Sequence, residues 1–120
     1  MLISVLQSKI HRAVITNTNI GYEGSCTIDS ELMIYACIRE YQEIHIYNVN
    51  NGTRFSTYAI CALSNSGIID IRGAGARLAQ PGDHIIICTY AMVNINADIP
   101  KPIQVYVNGD NGIITKECMK

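Results

Sequence analysis

The sequence predicts a mainly β protein, a small barrel of short strands with one or two short helices. Three observations carry this expectation. Apolar residues alternate with period two, as in Glu43-Ile44-His45-Ile46-Tyr47, or gather in short β-branched runs such as Ile85-Ile86-Ile87. Turn chemistry recurs at short intervals, at Asn50-Asn51-Gly52, Asn65-Ser66-Gly67, Pro81-Gly82-Asp83 and Asn108-Gly109. Only one stretch, Glu31 to Cys37, repeats its apolar residues at helical spacing. Many short strands around one core make a barrel.

Taken in order, Leu2 to Gln7 and Arg12 to Thr16 read as two strands. Lys9 and His11 lie between them, two residues apart and so on one face if the chain is extended. Asn17-Thr18-Asn19 is turn-like, and Ile20 to Tyr22 leads into Gly24-Ser25. Asp29 or Ser30 is the expected N-cap of the helix Glu31 to Cys37, with an acid in its first turn. The Asn-Gly turn after Tyr47 predicts a hairpin whose second strand is Arg54 to Leu63, setting Tyr47 near Arg54. Alternation puts Arg54, Tyr58 and Ile60 on one face of that strand and Phe55, Thr57 and Ala59 on the other.

Ile68 to Arg72 is the next strand, followed by Gly73-Ala74-Gly75-Ala76, small residues that let a ligand or another backbone approach closely. Ile85 to Tyr90 suits a buried central strand. A loop with Pro100 and Pro102 precedes the strand Ile103 to Val107, and Ile113 to Thr115 pairs back onto it before a polar tail. No repeat or linker divides the chain, so residues 1–120 are read as one domain.

Composition excludes several classes. A net charge of −1 gives no electrostatic footprint for nucleic acid. No apolar run is long enough for a membrane span, and no leader pattern opens the chain. Five widely spaced cysteines without C-x-x-C argue against a disulfide framework and a zinc site, and fit reduced thiols in the cytoplasm. A metal is therefore not expected.

The chemistry centres on Tyr22-Glu23-Gly24-Ser25-Cys26. A glycine can hold strained backbone, at about 1–3 kcal/mol for an outlier. The following serine oxygen can then attack the Gly24 carbonyl and turn amide into ester. Elimination and hydrolysis leave a pyruvoyl group at position 25. By itself the dipeptide is usually an ordinary turn; its surroundings make the case. These are Leu6-Gln7-Ser8-Lys9-Ile10-His11-Arg12, Tyr22 through Asp29, Asn48 through Ile60, Arg72-Gly73-Ala74-Gly75-Ala76 and Pro81-Gly82-Asp83. On these blocks the sequence resembles the pyruvoyl-dependent aspartate 1-decarboxylases over roughly its first 90 residues, fading beyond Met92.

The resemblance implies a double-psi β-barrel assembled as a homotetramer with active sites shared between subunits. It implies self-cleavage between Gly24 and Ser25 into 1–24 and 25–120. The expected reaction is decarboxylation of L-aspartate to β-alanine for pantothenate and coenzyme A synthesis, through a Schiff base with the pyruvoyl group made from Ser25. On the matching positions, Arg54 holds the retained carboxylate with Lys9 assisting, and Tyr58 is the proton donor. Gly73 and Ala74 line the substrate pocket. Thr57 polarises the Gly24 carbonyl during cleavage, with Tyr22 and His11 linked to processing or site geometry. Whether a maturation partner acts is not legible.

Two departures stand out. Arg72 occupies a position commonly asparagine in the family, and it has three readings: pairing with Asp70, tightening carboxylate binding, or altering maturation. Tyr47 stands where tryptophan is frequent and keeps an aromatic wall. The alternatives from other classes are a hydrolase built on Ser25 or Cys26, for which no G-x-S-x-G or papain-like pattern is present, and a non-catalytic barrel module.

Overall fold

The computed structural model describes residues 1–118. Its strands are β1 (Leu2–Val14), β2 (Asn17–Asn19), β3 (Ser25–Asp29), β4 (Glu43–Asn48), β5 (Arg54–Ala62), β6 (Ile69–Arg72), β7 (His84–Asn94), β8 (Ile103–Val107) and β9 (Ile113–Cys118). One α-helix, α1 (Ser30–Ala36), follows β3, and a 3-10 helix, Gly73–Arg77, follows β6. The mainly β expectation with one or two short helices holds.

Local departures have identifiable causes. The two strands expected before Thr16 are one, because irregularities between Leu6 and Ser8 and between Ile10 and Ala13 bend β1 without ending it. Arg12 takes φ 60° at the second of them. Asn17–Asn19, expected as a turn, is a short strand pairing in parallel with β6. Of the two cap candidates, Asp29 caps α1, accepting from the Glu31 N–H at 2.9 Å. The small-residue run after Arg72, read as a place of close backbone approach, coils into the 3-10 helix.

The strands lie in the order β2-β6-β3-β5-β4-β7-β1-β8-β9. Pairs β1/β8, β2/β6 and β3/β5 are parallel and the others antiparallel. The sheet is consistent with a small barrel-like fold, although no ladder closes its two ends. Buried Asn111, in the β8–β9 turn, donates to the carbonyls of Val14 and Gly67 and accepts from the Val14 N–H.

Inside the roll lies a core dominated by isoleucine. Ile10, Ile28, Ile44, Ile46, Ile69, Ile71, Ile85 and Ile87 are all fully buried on their strands. Each contributes about 1.5–3 kcal/mol of burial. This packing holds the register of β3, β5 and β6, which decides where Ser25 sits.

Candidate active site

Ser25 opens β3, between β5 and β6. Across the antiparallel pair with β6 its partner is Arg72. Across the parallel pair with β5, Cys26 faces Ala59. Continued back by the same step, that register sets Ser25 beside Tyr58 and Gly24 beside Thr57. The Gly24–Ser25 bond therefore lies between two dipeptides, Thr57-Tyr58 and Arg72-Gly73.

Gly73 explains how the backbones fit. It holds φ +74°, and a Cβ there would stand 2.5 Å from the Gly24 Cα and 2.7 Å from the Gly24 nitrogen. Real Cβ atoms do not approach that closely, so only glycine lets the chain run on from β6 beside Gly24. The left-handed glycine of the site is thus Gly73. Gly24, expected to supply unusual backbone, is not among the glycines with positive φ. Gly73 had been read as pocket lining, and here its measured contact is with Gly24; Ala74 is exposed on the 3-10 helix.

In front of Ser25 is a hollow of about 460 Å³ lined by Gly21, Tyr22, Glu23, Ser25, Tyr58, Ile60 and Arg72. Ser25 is only 6% exposed, whereas Tyr58 stands 38% exposed above it. The Arg72 guanidinium lies over the Tyr22 ring, 5.2 Å from its centroid. Behind Ser25 on the same strand face, the buried Thr27 hydroxyl has no hydrogen-bond partner. Thr57 pairs with fully buried Ile44 and so turns to the opposite face from Tyr58.

The remaining expected site residues fall elsewhere in the single chain. Arg54 pairs with Tyr47 as anticipated, its guanidinium 4.2 Å above that ring. Tyr47 in turn hydrogen-bonds Tyr90 through their hydroxyls at 2.6 Å, and Tyr90 meets His45 edge-on. This aromatic group was not legible as a unit, since its members come from β4 and β7. Lys9 pairs with Cys88, and the positive charges of Lys9 and Arg54 both act on that thiol, partly offsetting the burial that pushes it up. Two cations thus flank one patch of the outer face. Arg54 and Tyr58 share that face but are four residues apart, about 13 Å along a strand.

His11 lies further off, edge-on to Tyr106 in a separate hollow with Arg12 and His84. Burial, then the charges of Lys9 and Arg12, lower its pKa from 6.5, and its buried Nδ1 has no partner. Among the described residues the Ser25 pocket includes Tyr22 and Tyr58, but not Lys9, His11, Arg54 or Thr57.

Other features give no competing centre. Cys26 is fully buried, and its burial, then the Asp70 charge, push the thiol up, so it stays protonated and inward. That removes the thiol hydrolase reading. A hollow of about 260 Å³ beside α1 is lined by Asp29, whose carboxylate already accepts from the Glu31, Asn65 and Gly67 N–H groups.

Comparison with known proteins bears on the same residues. The aspartate decarboxylase family model matches residues 1–114, further along the chain than the 90 or so expected from sequence. An aspartate 1-decarboxylase of Nitrosococcus oceani is 52% identical over 114 residues, covering 94% of this chain and 90% of that protein. One from Methylobacillus flagellatus is 54% identical over 112 residues, covering 92% and 88%. One from Polynucleobacter asymbioticus is 50% identical over 119 residues, covering 97% and 96%. With a family match that takes in both the Gly24-Ser25 segment and every strand around it, this chain belongs to the aspartate decarboxylase family.

Proposed function

We propose that this chain is an aspartate 1-decarboxylase that makes its own pyruvoyl group from Ser25 and converts L-aspartate to β-alanine and CO2, serving pantothenate synthesis. One observation carries the reading: a buried serine, preceded by glycine, sits where β5 and the end of β6 bring Thr57, Tyr58, Arg72 and Gly73 around one peptide bond. The relatives' names supply the substrate.

The residues present fit such a group. The bare backbone of Gly73 lets the Gly24 backbone lie against it, and the hollow before Ser25 exceeds the size of a C4 dicarboxylate. In maturation the Ser25 Oγ attacks the Gly24 carbonyl, and the acyl group moves from nitrogen to oxygen. Thr57, on the Gly24 side of β5, donates to the developing oxyanion. Loss of the Ser25 α-proton then breaks the Cβ–O bond and frees a carboxylate on Gly24. One water completes the conversion and ammonia leaves.

Once formed, the pyruvoyl carbonyl would capture the substrate amine and accept the electrons released with CO2. The chain's own side chains do the rest. An arginine fork holds a carboxylate through paired hydrogen bonds, and Arg54 is pre-set for this by its stacking on Tyr47. Lys9 adds a second positive charge to that patch. Tyr58 overlooks Ser25 and is placed to return a proton to the product carbon. Because Arg54 and Tyr58 of one chain are spread along β5, the reading takes the carboxylate clamp from a neighbouring subunit within a homotetramer.

The test is intact mass. Aged protein should resolve into 1–24 and 25–120, the larger fragment blocked at its N-terminus and reactive to hydrazines, with β-alanine released from aspartate. Ser25→Ala should remain a single inactive chain. Cleavage of that variant at the same bond would overturn the self-processing mechanism.

A further inference from the structure

Maturation as proposed above creates a charge that must be accommodated. Breaking the Gly24–Ser25 amide consumes one water, expels the Ser25 nitrogen as ammonia and leaves a carboxylate at Gly24. Gly24 is held against Gly73, so this permanent anion appears at the edge of the pocket that must admit a dicarboxylic amino acid. Like charges at close range disfavour each other, and more strongly away from bulk water. Something has to neutralise it.

The geometry points to Arg72 as the residue that receives the new Gly24 carboxylate, a role resting on the self-cleavage reading. Arg72 is the cation among the residues lining this pocket. Its backbone is directly across from Ser25, and its carbonyl oxygen is 3.9 Å from a Cβ placed on Gly24. The guanidinium folds back over Tyr22, two residues before the cut, and its side chain stays 37% exposed, open to a further partner.

It also has donors to spare. Among the described residues, Asp70 is the one carboxylate within 4 Å, and its nearer oxygen is 3.9 Å away. The other Asp70 oxygen accepts from the Thr16 hydroxyl at 2.7 Å. Five N–H donors with one distant partner leave the planar fork open for a second carboxylate. Glu23 also lines the hollow, but no contact with Arg72 within 4 Å is made.

The substrate is the less suitable ligand. The carboxylate retained in the product is already provided for by Arg54 and Lys9. A firm ion pair to the departing carboxylate would stabilise the ground state against the loss of CO2. The Gly24 carboxylate carries no such conflict. Held by Arg72, it is kept clear of the group at position 25 and no longer repels aspartate. Arg72 is then a positioning residue that acts after cleavage.

The experiment compares Arg72→Gln and Arg72→Lys in two backgrounds, the self-cleaving chain and the uncleavable Ser25→Ala chain. Intact mass comes first. Arg72→Gln should cleave as completely as the parent; an uncleaved Arg72→Gln beside a cleaved parent would place Arg72 earlier in maturation and overturn the proposal. A parent that stays whole would instead defeat the self-cleavage reading itself.

In cleaved protein, Arg72→Gln should lower Tm by about 2–4 °C and raise the aspartate KM about threefold to tenfold, with kcat changed less. Arg72→Lys should recover most of both. In the Ser25→Ala background, where the carboxylate does not exist, Arg72→Gln should leave Tm nearly unchanged. Equal Tm losses in both backgrounds would show that Arg72 only packs against Tyr22 and Asp70. Succinate binding, followed calorimetrically on the Ser25→Ala chain, closes the other route. An equal loss of succinate affinity there would make Arg72 a direct substrate ligand and overturn the proposal.

Discussion

Thr57 and Tyr58 are consecutive residues with opposite surroundings, and that difference is the most instructive feature of the site. Thr57 turns toward the face of buried Ile44 and falls beside Gly24 when the β3/β5 register is continued. Tyr58 turns the other way and lines the hollow with Ser25. In the proposed mechanism one hydroxyl therefore serves the Gly24 carbonyl and the other the bound substrate. Thr57→Val should slow self-cleavage about a hundredfold, the usual cost of losing one oxyanion donor, while the Tm changes little. Tyr58→Phe should cleave normally and lose about a hundredfold in kcat, since the ring still packs but no phenol returns a proton. Time-resolved mass spectra, melts and β-alanine release separate these effects. A fully cleaved Tyr58→Phe enzyme with parental kcat would remove Tyr58 from catalysis.

At the scale of the element, the end of β6 and the turn that follows make the site. β6 ends at Arg72, the chain turns left-handed at Gly73, and the 3-10 helix Gly73–Arg77 carries it away. Gly75 is tight as well, since a Cβ there would meet the Phe55 ring at 2.9 Å. The two glycines meet different neighbours: Gly75 the side chains of Phe55 and Ile71, Gly73 the backbone of Gly24. Gly73→Ala should thus displace Gly24 and leave the chain largely whole, at least tenfold slower to cleave, given about 1–2 kcal/mol for the left-handed alanine alone. Gly75→Ala should cleave at close to the parental rate. A Gly73→Ala chain that cleaves as fast as the parent would show that the close approach is incidental to processing.

For the whole molecule, the distribution of the expected residues is the decisive fact. Ser25, Tyr58 and Arg72 gather at one hollow. Lys9 and Arg54 flank Cys88 and the Tyr47–Tyr90 pair on a neighbouring patch. A single chain thus presents two partial constellations, which is what a site completed by a second copy requires. Coexpressed Ser25→Ala and Arg54→Ala chains, each inactive alone, should recover about a quarter of parental activity, because random pairing restores both residues at one interface in four. Absence of any recovery, with mixed oligomers shown by mass, would place both residues in the same chain's site.

Much of this protein could be read before folding it. Period-two alternation and Asn-Gly turns report local backbone preference, so the β4–β5 hairpin, the Tyr47–Arg54 pairing and the strand Ile103 to Val107 were all legible. The blocks that flank Gly24-Ser25 likewise marked the aspartate decarboxylase family. Sequence neighbours could not reveal which distant strands lie side by side. The adjacency of residues 24–25, 57–58 and 72–73 arises from one parallel and one antiparallel pairing across gaps of more than ten residues. Such pairings are chosen by how the isoleucine-bearing inner faces close over a common core, with a one-residue slip turning every side chain over. The same closure separated Arg54 and Lys9 from Ser25, set Gly73 against Gly24, and brought Arg72 to the Ser25 pocket. Local chemistry thus wrote the elements and the Gly24-Ser25 step. Only the packing of non-local strands decided which side chains surround that bond, because register is a property of the whole core.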